Sequence, residues 1–174
     1  RDSNRIGDMG NAVAAFRPAI VILSLGTNEA FGNISPEALY RNIDRLVTDI
    51  RRANPEAAIL LTTPMECQRS VYSTTTRQVK GRGRAKKTVQ SRTKGYQINA
   101  KVKEERDVIL KYGRDKHIAT FDWYTVAGGD GASRRWIDAD LFSRDRVHHS
   151  VKGYRLQGRM LYEAVTRALN HKQQ

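Results

Sequence analysis

The sequence predicts an α/β domain built on a parallel sheet. Two short apolar, β-branched runs end abruptly at Gly26 and Pro64. Helical periodicity follows each of them, and strand and helix signals then alternate to the end. At 174 residues the chain suits one domain and is short for two.

The elements read in order. Ala19-Ile20-Val21-Ile22-Leu23-Ser24-Leu25 is apolar on both faces except at Ser24, as a strand interior to a parallel sheet is. Ser35-Pro36-Glu37 offers an N-cap, a proline at the first helical position and an acid in the first turn. Leu39, Ile43, Leu46, Val47 and Ile50 then recur at helical spacing, and Asn54-Pro55 closes the helix. Ala58–Thr63 is a second buried strand. A helix is expected from about Tyr96 to Tyr112, with Ile98, Val102, Ile109 and Tyr112 on one side. His117–Phe121 gives a third strand. Ala127–Ser133 is a glycine-rich loop, and a last helix from about Lys152 to Leu169 buries Leu161, Val165 and Leu169.

Lys and Arg exceed Asp and Glu by 13. The excess is local. Nine bases and no acid lie between Arg69 and Lys94, and without them the net charge falls to +4. Ser70–Thr93 is poor in large apolar residues, so it is expected to be a mobile excursion from the tip of the second strand. No run reaches membrane-spanning length. A single cysteine, Cys67, excludes an intrachain disulfide and a cysteine-ligated structural zinc site, and it reads as an inert thiol.

Ligand sites in open parallel sheets lie outside the carboxyl ends of the strands. Gly26-Thr27-Asn28-Glu29 leaves the first strand there. Asn28 is either a donor held over a pocket or a turn residue bonded to backbone. Asp145-Arg146-Val147-His148 precedes the Ser150-capped last helix. Its carboxylate and imidazole can meet within one turn, as in the base-and-orienter half of a nucleophilic triad. The alternative is a solvated turn with Asp145 paired to Arg144 or Arg146. His149 competes with His148 for the role of base.

Together, and in this order, VILSLGTNEAF and DRVHHSVKGYRLQG resemble the SGNH, or GDSL-like, hydrolase superfamily, and FDWYTVAGGDGASRRW is similar to its bacterial O-acetyl esterase branch. The resemblance implies a flavodoxin-like three-layer sandwich with a parallel sheet. It implies that Asn28 donates to an oxyanion, that His148 is general base and acid, and that Asp145 fixes its tautomer. Gly26, Thr27 and Trp136 would bind substrate, with Ser133 and Trp136 shaping the acyl pocket; packing of the glycine-rich loop is an equally good account of Trp136. Glu29 stands where many members have Asp, and His149 where many have Pro or an apolar residue.

The family's nucleophilic Gly-Asp-Ser is not recognisable. Arg1-Asp2-Ser3 has no strand before it, and Ser3 lies only 25 residues before Asn28. Gly7 and Gly10 are the candidates for the family's second-block glycine. The resemblance therefore implies that residues 1–174 are the C-terminal portion of one SGNH domain, with N-terminal strands missing and a flexible basic insertion at about 69–94. The nucleophile is expected upstream of residue 1, and this chain alone is expected to be inactive. The strand at 19–25 would then need a partner, either the missing N-terminal segment or a homodimer mate.

The expected function is serine ester hydrolysis, removing O-acetyl or similar acyl groups from a saccharide or other polar substrate, without a cofactor or metal. The family resemblance favours a periplasmic or secreted setting. The alternative is a non-catalytic or pseudoenzyme module that binds an anionic polymer through residues 69–94. Nucleic acid is disfavoured as that polymer, because only Tyr72 and Tyr96 flank the basic run.

Overall fold

The computed structural model describes residues 3–80 and 86–170. It opens on a helix outside the sequence expectations, α1 (Ser3–Phe16). Gly- and Ala-rich Gly10–Ala15 holds few large apolar residues, so its periodicity is faint. Val13 is nevertheless buried. The helix ends where Arg17 turns left-handed (φ 43°) ahead of Pro18, a common helix stop.

β1 (Ile20–Ser24) pairs in parallel with β2 (Ala58–Thr62), Ile20 opposite Ala58 and Ser24 opposite Thr62. Between them, α2 (Pro36–Ala53) starts on Ser35, whose Oγ accepts from the Ala38 N–H at 3.2 Å, and ends on Asn54. Leu39, Ile43, Val47 and Ile50 form its buried stripe.

Residues 68–98 depart from expectation. β3 (Gln68–Lys80) and β4 (Lys86–Ile98) form an antiparallel two-stranded ribbon in continuous register from Gln68–Ile98 to Lys80–Lys86. Alternating Ser, Thr and Val residues pair along it while burying little. The excursion from the second strand is thus a paired ribbon, and residues 72–78 and 88–94 along it are exposed. Tyr96 and Ile98 belong to β4 and not to the helix read from 96 to 112. That helix is α3 (Lys101–Lys116), with Val102, Ile109 and Tyr112 buried. His117 caps it in the left-handed region (φ 52°) and does not begin the next strand.

β5 (Ala119–Phe121) completes the order β1-β2-β5, all parallel. Three helices follow: α4 (Trp123–Val126), α5 (Ala132–Asp138) and α6 (Val151–Asn170). The molecule is a mixed α/β fold with a parallel sheet.

Two cores result. Leu23 and Leu61 pack against Val13, the α2 stripe, Ile109 and Tyr112 on one sheet face. The second core gathers Trp123, Tyr124, Trp136, Leu141 and Phe142 beyond the strand ends, with Leu156 and Met160 of α6 against it. The other face of β1 is open: Ile20 and Ile22 are 41% and 42% exposed. Among the described residues, β2 is the only strand paired with β1. Leu169, expected inside, is 62% exposed, because no described element covers that end of α6.

Candidate active site

The site is assembled where the chain leaves the sheet. Gly26 takes φ +99°, and a Cβ there would lie 2.7 Å from Pro64 Cδ. Only glycine lets the loops after β1 and β2 approach so closely. The Gly26 N–H donates to Glu29 Oε2 at 2.8 Å, and the Gly26 carbonyl accepts from the Ala30 N–H. This clasp starts a 3-10 turn, Glu29–Phe31, on Asn28. The Asn28 side chain does not cap that turn. It lines a cavity of about 340 Å³ together with Thr27, Thr63, Met65, Trp123 and His148. Gly26 shapes the loop without lining the cavity.

The second half of the site is the loop before α6. Arg146 is left-handed (φ 62°), and the Ser143 N–H donates to the His148 carbonyl at 2.7 Å. This curls Asp145 under the backbone, where its Oδ1 accepts from the N–H groups of Val147 and His148, each at 3.0 Å. Oδ2 meets His148 Nδ1 at 2.6 Å. Burial pushes the Asp145 carboxyl up, but the bonds from His148 and the two backbone N–H groups outweigh it and hold the acid below its usual range. Arg146 turns away, donating to Gln68 Oε1 at 2.8 Å. A carboxylate so placed fixes one imidazole nitrogen and leaves Nε2 for a substrate.

His149 has different surroundings. Its ring stacks on Phe142 (4.6 Å, 25°) and meets Trp136 and Tyr154 edge-on. Nε2 lies 2.9 Å from Met65 Sδ and 3.3 Å from the Gln157 amide nitrogen. Burial, then the neighbouring His148, push its pKa down to about 4. A folded-state value below the ordinary 6.5 means that the unfolded chain binds the extra proton between those pH values. His149 therefore costs stability as pH falls from 6.5 towards 4. Melting followed by circular dichroism from pH 7 to 4 should show a steeper loss for the wild type than for His149→Phe; parallel curves would contradict this.

Trp136 is corrected. It is not at the cavity wall but 7% exposed behind His149, with its Nε1 donating to the Ala127 carbonyl at 3.1 Å. A large aromatic beside a glycine-rich loop packs that loop. Ser133 is likewise buried, donating to Glu66 Oε1 at 2.7 Å. Gly10 lies within α1, where an added Cβ would meet open space; the side chains of Ser3 and Gly7's surroundings lie outside the described residues. Cys67 is buried and pushed up to about 12, first by burial and then by Glu66, which leaves it a protonated, inert thiol.

Sequence reading missed Met65, Trp123, Tyr154 and Gln157 among the cavity residues. The strand-end rule reaches two of them, because Met65 and Trp123 follow β2 and β5 directly. It also missed Glu66, 2% exposed, which accepts from the N–H groups of Gly131 and Ser133, both at 3.0 Å.

A profile of the GDSL-like lipase/acylhydrolase family matches residues 2–156. The chain belongs to that family. Among solved structures, a protein described as "Peptidoglycan O-acetylesterase in action, 5 min" is 25% identical, with a TM-score of 0.71 over 97% of this chain. This chain spans 41% of that protein's length. A possible lipase from Chitinophaga pinensis DSM 2588 is 19% identical over 68% of this chain and 48% of its own, with a TM-score of 0.40. No curated protein sequence matches. In this GDSL-like chain, the two motifs that carried the resemblance face one cavity.

Proposed function

We propose that this chain forms the base and oxyanion side of a serine ester hydrolase that removes O-acetyl groups from a saccharide. The observation that carries the reading is the Asp145–His148 contact at 2.6 Å beside a cavity that Asn28 also lines. In the reaction, His148 Nε2 takes the proton of a serine hydroxyl as its oxygen attacks the ester carbonyl. Asn28 donates to the developing oxyanion, an interaction whose loss costs about 10²–10³ in rate. The alcohol leaves with the proton from His148. Water, deprotonated by the same nitrogen, then releases the acid and restores the serine.

The nucleophilic serine is proposed to lie outside residues 1–174, which alone would be inactive. Ser24, the one serine at the cavity among the described residues, accepts from Thr62 Oγ1 at 2.9 Å. Among the described residues His148 has no hydroxyl partner. The same proposal gives β1 a partner along its open edge, either the segment that bears the serine or a second copy. Unpaired apolar edges recruit other strands. A cavity of about 340 Å³ favours acetyl over long acyl groups. Acetate release from O-acetylated saccharides by the serine-bearing protein, compared with hydrolysis of p-nitrophenyl octanoate, tests the reading. Preference for octanoate would contradict it.

A further inference from the structure

The ribbon is tied to the catalytic loop. The Gln68 N–H donates to the Arg146 carbonyl at 3.0 Å, Arg146 returns a bond to the Gln68 side chain, and the Tyr96 hydroxyl donates to the Arg144 carbonyl at 3.2 Å. From this root a ladder of cations and rings climbs one face. The Arg146 guanidinium lies 3.9 Å over Tyr96, with Lys94 Nζ 5.0 Å from the same ring. Tyr72 pairs across the ribbon with Lys94, and Arg92 lies 3.9 Å over its ring. Arg92, Lys94 and Tyr96 alternate along β4 and so share a face, about 7 Å apart in succession. The opposite face adds Arg69 and Arg77, and the sequence from Arg69 to Lys94 holds no acid to offset them.

Folding alone does not require this charge, since the outer ribbon packs against nothing described, and like charges crowded on two strands oppose pairing. Arg146, at the root of the ladder, is two residues from His148. We infer that the ribbon captures a polyanionic glycan and leads it to the Asp145–His148 cavity, so that the substrate class is an acylated acidic polysaccharide. This deepens, and rests on, the esterase reading. Nucleic acid fits less well: its bases need open aromatic faces, and Tyr72 and Tyr96 each carry a cation, while nucleic acids offer no carboxylic ester to cleave. A lipid surface fits less well too, because the ribbon offers few large apolar side chains to insert among acyl chains.

The test measures binding of polygalacturonate, with neutral dextran as control, to the full chain by fluorescence titration. Polygalacturonate should bind and dextran should not, and affinity should fall more than tenfold between 50 and 200 mM NaCl. Arg69→Ser/Arg77→Ser/Arg92→Ser/Lys94→Ser should weaken binding at least tenfold, whereas the charge-keeping Arg69→Lys/Arg77→Lys/Arg92→Lys should stay within threefold. Replacing Tyr72–Thr93 by a short Gly/Ser linker should abolish binding and keep cooperative melting, since the cost of closing a loop changes only slowly with its length. Binding that survives the serine substitutions would overturn the inference. So would tighter ribbon-dependent binding of an oligonucleotide or of phosphatidylglycerol vesicles. p-Nitrophenyl acetate turnover by the serine-bearing protein should be unchanged by the ribbon substitutions. Turnover without ribbon-dependent binding therefore defeats the ribbon inference alone, and ribbon-dependent binding without turnover defeats the esterase reading and the substrate role with it.

Discussion

His148→Ala should lower ester turnover in the serine-bearing protein by about 10⁴-fold or more. In the proposed mechanism the imidazole is needed twice in each cycle, first to take the serine proton and then to take one from water, and among the described residues no second base faces the cavity with an orienting carboxylate. His149 is near but differently held. Its Nε2 is against Met65 and Gln157, its ring is packed among aromatics, and its low pKa keeps it neutral through packing. His149→Phe preserves the stack and should leave turnover within a few-fold. Steady-state kinetics with p-nitrophenyl acetate decide the matter. An active His148→Ala with an inactive His149→Phe would reverse the assignment.

The second large effect concerns Glu66. Its carboxylate receives two backbone N–H groups and the Ser133 hydroxyl inside the second core, all within 2.7–3.0 Å. Glu66→Leu strands those donors without water. Each charge-assisted bond is worth about 1.5–3 kcal/mol, offset by the relief of burying a charge, so a net loss of about 3–5 kcal/mol is expected. For a chain of this size that lowers Tm by roughly 8–15 °C. Glu66→Gln keeps one acceptor but turns an amide N–H toward a donor, and should fall between. Calorimetry measures both. A Glu66→Leu protein melting within about 2 °C of wild type would show that the cluster contributes little.

Glu66 also illustrates where the sequence stops being legible. A buried acid among Met65 and Cys67 has no periodic signature, because its partners lie 65 and 67 residues away on a loop. β1, β2 and α2 were legible because each buries a stripe or a face that the pattern records, and α6 because its apolar spacing is helical although Leu156, Met160 and Leu161 are only partly buried. The Asp145–His148 pair was legible because its partners are neighbours in sequence. Residues 68–98 misled for the opposite reason: cross-strand pairing of polar Ser and Thr leaves no apolar alternation, so a long ribbon reads like an irregular loop. Trp136 misled because a tryptophan beside glycines suits a pocket and a packing plug equally, and only the tertiary position of His149 separates them.

In the proposed reaction a serine acylated with His148 as its base performs the chemistry. Mass-spectrometric mapping of a fluorophosphonate adduct on the complete gene product tests it most directly. One modified serine outside residues 1–174 is expected, with modification lost in His148→Ala. An adduct on Ser24 or any other residue of this chain, or modification undiminished by His148→Ala, would contradict it.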